Sequence, residues 1–240
     1  MATFVLLHGG WGGGWEWRDV GDRLMAAGHR VFRPSLTGLG DRRHLARNDV
    51  GLNTHIQDVL ALLETEDLDG VVLCGQSYSG MVITGVADRE PDRLGRLVYV
   101  DGFVPDDGES LMDLIPGWLK VRMQELADAN GEGWLVPVPF PLPEPGDAPP
   151  EVVDYFAKAS IPMPMGCFEQ PFSMTSAHIS LPTTYIRCTQ IEGEDLLGPS
   201  ARRASERGWD IRELDSPHDA QIFAPGPLTQ LLLASGGRPA

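Results

Sequence analysis

Ser77 lies in a short motif whose spacing can place a serine for nucleophilic attack. The pentapeptide Gly75-Gln76-Ser77-Tyr78-Ser79 follows an apolar run and leads into a helical run. A serine held on a sharp, strained turn between strand and helix leaves room only for small residues two positions to either side. Gly75 and Ser79 meet that condition. A glycine- and serine-rich turn in any parallel sheet has a similar composition, so the motif needs partners elsewhere in the chain.

A second apolar run ends in His8-Gly9-Gly10 and a glycine-rich loop. Glycines let the backbone approach a ligand closely, so such a loop can direct an N–H group at an oxyanion that forms on an attacked carbonyl. The expected donors are the N–H groups of Gly10 and of Tyr78, the residue after the serine. We expect His8 to brace this loop structurally, because the end of a strand suits a packed, hydrogen-bonded imidazole.

His218 is the expected base. It lies in the turn Asp215 to Asp219, directly after an alternating segment that predicts a half-buried strand. An imidazole at this place can take the serine proton and later return it to a leaving group. The other histidines have no comparable setting and are predicted to be surface, turn or packing residues, namely His29, His44, His55 and His178.

The carboxylate that would orient His218 has two candidate locations. Asp101 ends the strand next to the one that carries Ser77, at the carboxyl edge where catalytic groups gather in open α/β sheets. The alternatives follow a later strand and are Glu192, Glu194 and Asp195. These would require a longer side chain or a shifted loop, so we favour Asp101, although a turn or a helix cap is its alternative role.

The elements that must position these residues alternate along the chain. The predicted strands are Phe4 to Leu7, Arg30 to Pro34, Gly70 to Cys74, Arg96 to Val100, Thr184 to Cys188 and Asp210 to Leu214. The predicted helices between and after them are Trp17 to Ala27, Leu52 to Glu66, Gly80 to Asp88, Ser200 to Arg207 and Pro227 to Ala234. This alternation predicts a mostly parallel six-stranded sheet with helices on both faces.

The alternation stops between Phe103 and Pro182, where no regular strand is predicted. We therefore divide the chain into a core, residues 1–103 and 180–240, and an inserted lid, residues 104–179. The lid is predicted to contain helices at Ser110 to Ala129 and Pro150 to Ala159, with a proline-rich stretch at 136–145. We expect its large apolar side chains to pack onto the core or to line an apolar pocket. They are Trp118, Met123, Trp134, Phe140, Phe156, Met163, Met165, Phe168, Phe172 and Met174.

Composition limits the kinds of molecule and surface that the chain is expected to bind. The formal net charge of −15 would repel nucleic acid and anionic membrane surfaces, and no apolar run is long enough to span a bilayer. The N-terminus shows no signal-peptide pattern, and Cys74, Cys167 and Cys188 are scattered, which favours a reduced cytoplasm. No metal-ligand spacing occurs, so we expect neither metal nor cofactor. A small apolar molecule is the expected substrate, and the oligomeric state is left open.

The ordered set of motifs resembles the α/β-hydrolase superfamily. Within it, the chain is similar to the branch of plant methyl esterases and hydroxynitrile lyases and bacterial pyrethroid-hydrolase-like esterases. The matching segments span nearly the whole chain, at 4–17, 34–45, the Ser77 turn, 99–105 and 217–220. The resemblance implies an α/β-hydrolase fold with a lid. It also implies a serine hydrolase that cleaves an uncharged, largely apolar ester or carbamate-like compound through an acyl-enzyme.

Proteins with the same fold and the same arrangement of residues can have other functions. A hydroxynitrile lyase of this branch carries threonine and lysine where this chain has Gly9 and Asp219, and an anion beside the base would not stabilise cyanide, so that activity is disfavoured. A polyketide-tailoring enzyme would use the same catalytic residues as an esterase. A ligand-binding protein with little or no turnover is the remaining alternative, raised by the departures at Ser79 and Ile191 from the family pattern.

Overall fold

The computed structural model describes residues 1–141, 146, 149–159, 161–175, 180–191 and 193–235. The strands are β1 (Thr3–Leu7), β2 (Arg30–Phe32), β3 (Val71–Gln76), β4 (Leu94–Val100), β5 (Leu135–Val136), β6 (Met163–Pro164), β7 (Thr183–Cys188) and β8 (Asp210–Leu214). The α-helices are α1 (Arg18–Ala26), α2 (Leu52–Thr65), α3 (Ser79–Arg89), α4 (Leu111–Leu114), α5 (Gly117–Asn130), α6 (Pro150–Ala159), α7 (Gly166–Glu169), α8 (Gly198–Glu206), α9 (Ala220–Phe223) and α10 (Pro225–Ser235). Short 3-10 helices lie at Gly14–Trp17, Gly40–Leu45 and Pro91–Arg93.

The main sheet has six strands in the order β2-β1-β3-β4-β7-β8, and each neighbouring pair is parallel. The predicted count and the mostly parallel character are therefore confirmed. Because every strand runs the same way, the carboxyl ends of β1, β3, β4, β7 and β8 lie along one edge. The loops that follow those ends are the ones that carry His8, Ser77, Asp101 and His218.

Successive residues of β1 enter opposite layers of the core. Val5 and Leu7 pack in the layer formed with α2 and α3, whereas Phe4 and Leu6 pack in the layer formed with α1 and α10. Strand β3 lies at the centre, and all six of its residues are buried. A strand covered on both faces reads as a continuous apolar run, which is why the sequence located it well.

The segment 104–179 differs from its prediction in two ways. The single helix expected from Ser110 to Ala129 is wrong, because the chain leaves helical geometry at Ile115 and resumes at Gly117, which separates α4 from α5. Pro116 lacks an N–H group and disfavours helical geometry in the residue before it. The structure also adds two short strands that were not predicted, β5 and β6, which form an antiparallel pair outside the main sheet. Helix α6 has the predicted bounds.

Part of the proline-rich stretch, at 142–145, lies outside the described residues. In the described part of the segment, side chains of α4, α5 and α7 join the core layer formed with α2 and α3. Leu111, Leu119, Met123, Phe168 and Phe172 are buried there, whereas Trp118 is 51% exposed. The division into core and lid stays a prediction.

No helix in the described ranges combines the length and the apolar character that crossing a membrane requires.

Candidate active site

Ser77 occupies a strained turn between β3 and α3. Its φ of 53° is in the left-handed region that side chains other than glycine rarely adopt. A Cβ added at Gly75 would lie 2.5 Å from the Ser79 carbonyl oxygen, so the turn requires glycine at that position. Ser79 is buried, and its hydroxyl donates to the His8 carbonyl oxygen. The serine at position 79 thus ties the turn to the end of β1 in addition to being small.

The glycine-rich loop after β1 passes directly over this turn. A Cβ added at Gly9 would lie 2.2 Å from Gln76 Oε1 and 3.0 Å from Ser77 Cβ, so only glycine allows this approach. Among the described residues, the N–H groups of Gly10 and Tyr78 donate no hydrogen bond within the chain. Both residues line the cavity that Ser77 also lines. Two backbone donors are therefore available beside the serine.

His8 braces this loop, as its position at the strand end predicted. Its Nε2 accepts a hydrogen bond from the Leu36 N–H at 3.1 Å, and its Nδ1 lies 2.8 Å from the Gly9 carbonyl oxygen, to which it donates. Burial lowers the pKa of His8 to about 4. The ring is therefore neutral near pH 7 and fully used in these two contacts, which leaves it no nitrogen for proton transfer.

His218 and Asp101 are in direct contact. His218 Nδ1 lies 2.7 Å from Asp101 Oδ2, and the Asp101 side chain is only 5% exposed while that of His218 is 39% exposed. Asp101 follows β4 in left-handed geometry, with φ of 42°, and its N–H donates to the Ile186 carbonyl oxygen at 2.7 Å. A carboxylate on Nδ1 holds the proton there, so Nε2 is the nitrogen left to accept another.

The alternative carboxylates have other partners. Asp195 pairs with Arg187, and Glu194 Oε2 accepts a hydrogen bond from Trp118 Nε1 at 2.7 Å. Glu192 lies outside the described residues. Among the described carboxylates considered from the sequence, Asp101 is the one that contacts the His218 ring.

The pKa of His218 reflects opposing effects. Burial lowers this pKa, but the hydrogen bond to Asp101 and the negative charges of Asp101 and Asp219 outweigh burial and raise it above the ordinary histidine value. The imidazolium that forms on accepting a proton is therefore stabilised. Gln76, which is buried, donates from Nε2 to the His218 carbonyl oxygen at 3.3 Å and fixes the backbone of this turn.

Ser77 and His218 line one cavity of about 820 Å³, together with Gly10, Tyr78 and Asp101. The Ser77 hydroxyl forms no hydrogen bond with another described residue. Contacts between a nucleophile and its base are often loose before a substrate binds, so the shared cavity is the relevant geometric fact. The structure thus brings all five residues predicted for the site to one place.

The cavity is lined mainly by apolar side chains. They come from the loop after β4, from α4, α5, their connection and α7, and from the loop before α8, and they include Phe103, Leu111, Ile115, Leu119, Met123, Phe168, Leu196 and Leu197. Besides Asp101, the carboxyl groups of Glu16, Glu194, Asp195 and Asp219 line the cavity, as does the Arg187 guanidinium. The apolar lining can bind a molecule with a sizeable apolar part.

Glu16 was not predicted to be near the site. It accepts hydrogen bonds from the Gly13 N–H at 3.2 Å and from Gln221 Nε2 at 3.1 Å, and it is 4% exposed. Burial, with the charge of Asp219 as a smaller cause, raises the pKa of Glu16 to about 8. Burial also raises the pKa of Asp219. The sequence shows one signal for Glu16, a carboxylate between Trp15 and Trp17.

Arg187 was also missed. Its Nη1 lies 2.6 Å from Asp101 Oδ1, and its Nη2 pairs with Asp195. A charged residue inside the otherwise buried strand β7 was the available signal, because an arginine in such a strand needs a carboxylate partner. Within the described ranges, no group of three or more His, Cys, Asp or Glu side chains could hold a metal ion.

Comparison with known proteins gives consistent matches over nearly the full length. Residues 4–226 match the Alpha/beta hydrolase family. A carbendazim hydrolyzing esterase from Nocardioides sp. (strain SG-4G) is 36% identical, over 98% of this chain and 100% of that protein. An extracellular α/β-hydrolase from a Paenibacillus species, which shares structural and functional homology with tobacco salicylic acid binding protein 2, superposes with a TM-score of 0.85. It is 27% identical, with 99% and 100% of the two chains covered.

A pyrethroid hydrolase from Sphingobium faniae JZ-2 has the same fold. Its TM-score is 0.74 at 22% identity, with 99% of this chain and 98% of that chain covered.

Proposed function

The chain belongs to the α/β-hydrolase family and is a carboxylic ester hydrolase, and on this premise we propose that Ser77, His218 and Asp101 are its catalytic triad. The observation that carries the proposal is the 2.7 Å contact between His218 Nδ1 and Asp101 Oδ2 at a cavity that Ser77 also lines. The left-handed backbone of Ser77 supports it, because that geometry presents the hydroxyl at the end of the strand.

The proposed reaction has two halves. In the first, Ser77 Oγ attacks the substrate carbonyl while His218 Nε2 takes its proton, and the N–H groups of Gly10 and Tyr78 bind the oxyanion. The tetrahedral intermediate collapses to an acyl-enzyme when His218 gives the proton to the leaving alcohol. In the second half, His218 removes a proton from water, which attacks the acyl group and releases the acid and Ser77.

We propose an uncharged, largely apolar substrate. The apolar lining of the cavity favours this class, and the charged carboxylates that also line it, those of Asp101, Glu194 and Asp195, disfavour an anion. Esters and carbamate-like compounds both present the required acyl carbonyl. Because the 36%-identical relative is named for carbendazim, that compound is a test substrate for this chain.

We also propose that residues 104–179 act as a lid over the cavity. The Trp118 hydrogen bond to Glu194 joins α5 to the loop after β7, and Trp11 Nε1 donates to the Val136 carbonyl oxygen at 2.8 Å. These contacts fix the segment to both sides of the cavity.

A substrate panel tests the proposal. Steady-state hydrolysis is measured with p-nitrophenyl esters of graded acyl length and with carbendazim, using the wild-type chain and Ser77→Ala. We expect kcat/KM to rise with acyl length until the cavity is filled and Ser77→Ala to lose turnover. Binding of these compounds without turnover by the wild-type chain would instead support a ligand-binding protein.

A further inference from the structure

The two oxygens of the Asp101 carboxylate contact two different side chains. Oδ2 faces His218 Nδ1 at 2.7 Å, whereas Oδ1 faces Arg187 Nη1 at 2.6 Å and also accepts the Cys188 N–H at 3.4 Å. The second arm of Arg187 pairs with Asp195. Asp195, Arg187, Asp101 and His218 thus form a continuous chain of contacts, in which the guanidinium lies between two carboxylates.

This arrangement follows from strand register. Strands β4 and β7 are parallel neighbours that pair Val100 with Ile186, so the next residues, Asp101 and Arg187, lie side by side. The Arg187 side chain is 12% exposed and that of Asp101 is 5% exposed, so solvent screens their interaction weakly. A guanidinium carries donors in a fixed planar fork, which lets one side chain bind two carboxylates in set directions.

We propose that Arg187 is a positioning residue for the proposed triad, which holds Asp101 against His218 and limits the negative potential that Asp101 places on the imidazole. Asp195 has the opposite effect, because it draws on the positive charge of Arg187. The inference rests on the proposed function, since it assumes that His218 is the base and Asp101 its partner.

The charges around His218 come from several elements. The titratable and charged groups that face it or its partners are Asp101 after β4, Tyr185, Arg187 and Cys188 on β7, Asp195 before α8, Glu16 before α1, Tyr155 on α6 and Asp219 beside it. The positive charge of Arg187 lowers the pKa of His218, against the raising effects of Asp101 and Asp219. Removing Arg187 should therefore favour the protonated imidazole, and neutralising Asp195 should disfavour it.

The expected shifts of the His218 pKa have opposite signs in the Arg187 and Asp195 variants, and this difference is what the experiment measures. The pH dependence of kcat/KM is measured for the wild-type chain, Arg187→Met, Arg187→Lys and Asp195→Asn on one p-nitrophenyl ester. We expect Arg187→Met to move the acidic limb of the profile, the range in which kcat/KM rises with pH, to higher pH by about one unit. We expect its kcat to fall by about 10- to 100-fold, because Asp101 loses its fixed position. Asp195→Asn should move the limb to lower pH by a smaller amount, since the Asp195 side chain is 42% exposed.

Arg187→Lys separates charge from geometry. It keeps the positive charge but not the fork, so the limb should stay near its wild-type position while kcat is only partly restored. Arg203→Met is the matched control: Arg203 is also partly buried and pairs with Glu109 at 2.5 Å, outside the cavity, and its removal should shift no limb. Thermal melts of each variant show which are folded. If Arg187→Met does not fold, Arg187→Lys and Asp195→Asn carry the test.

The inference is overturned if Asp195→Asn leaves the limb in place or moves it to higher pH. It is also overturned if a folded Arg187→Met retains both the wild-type limb and the wild-type kcat. Failure of the proposed function looks different, because a folded Asp101→Asn variant would then keep its turnover. Inactivity of Asp195→Asn with an active Asp101→Asn would make Asp195 the acid and reject both proposals.

Discussion

His218 Nδ1 and Asp101 Oδ2 lie 2.7 Å apart although 117 positions separate the two residues in the chain. The contact forms because Asp101 follows β4 and His218 follows β8, and all strands of the main sheet end at the same edge. His218 Nδ1–H donates to the carboxylate, which leaves Nε2 free to act as the base at the cavity that Ser77 lines.

Replacing Asp101 with Asn should lower kcat by about four orders of magnitude, as the corresponding change does in serine proteases, because an amide can hold the wrong imidazole tautomer. The measurement is steady-state hydrolysis of a p-nitrophenyl ester by folded protein. Glu194→Gln is the comparison variant and should cost little, since Glu194 bonds Trp118 and not His218. Glu192→Gln should also cost little. If a glutamine variant were inactive and Asp101→Asn active, the acid would follow β7.

The pH profile of kcat/KM should rise through one ionisation with a midpoint above about 6.5, the value of free histidine. The sign follows from the mechanism, because His218 must be neutral to act as a base and its pKa is raised by Asp101. Activity is therefore lost as the pH falls through that midpoint. A midpoint well below the free-histidine value would show that another group limits the rate.

Glu16 should make stability depend on pH. Its folded-state pKa of about 8 exceeds the ordinary value of 4.5, so the folded chain binds more protons than the unfolded chain between those values. Stability from this group is therefore present at low pH and is lost as the pH rises towards 8. Thermal melts at pH 5 and pH 8 should show that Glu16→Gln is stabilised relative to the wild-type chain only at the higher pH.

The expected difference for Glu16→Gln is on the order of a few kcal/mol. Glu64→Gln, at an exposed position on α2, is the control and should melt in parallel with the wild-type chain at both pH values. Equal effects of the two substitutions would mean that Glu16 is not held in its protonated form.

Gly9→Ala should impair both activity and stability. The new Cβ would lie 2.2 Å from Gln76 Oε1 and 3.0 Å from Ser77 Cβ, so either the loop must move away from the serine or the Gln76 amide, which bonds the His218 carbonyl oxygen, must shift. Overpacking of this kind costs about 1–3 kcal/mol, and it would displace the Gly10 N–H from the oxyanion. Gly117→Ala is the matched control, because a Cβ there meets nothing within 4 Å. Equal kcat values for the two variants would argue against a close approach of the Gly9 loop to Ser77.

Much of this site was accessible from sequence because its parts are local. Ser77 and the loop at Gly10 each follow an apolar strand, the turn at His218 follows a strand of alternating apolar and polar residues, and parallel strands place such turns at one edge. The helix end before Pro116 was also predictable, since proline disfavours helical geometry in the residue before it. The apolar pattern around Pro116 nevertheless favoured one helix from Ser110 to Ala129.

The missed residues depend on long-range packing. Arg187 meets Asp101 only through the register between β4 and β7, and Glu16 meets Gln221 across 205 positions. Burial and neighbouring charge, which set the pKa of Glu16, are properties of the folded chain and have no local pattern. The sequence indicates the substrate preference less clearly than the catalytic residues. The reason is again long-range packing, because the cavity is lined by segments that are spread across the chain.

Labelling with a fluorophosphonate tests the central claim most directly, because this reagent reacts with a serine only when a base activates its hydroxyl. Intact mass and peptide mapping are compared for the wild-type chain, Ser77→Ala and His218→Ala. The proposed triad predicts one adduct per wild-type chain, located on Ser77, no adduct on Ser77→Ala and strongly slowed labelling of His218→Ala. A folded wild-type chain with an unlabelled Ser77, or with its adduct on another residue, would contradict the proposed mechanism.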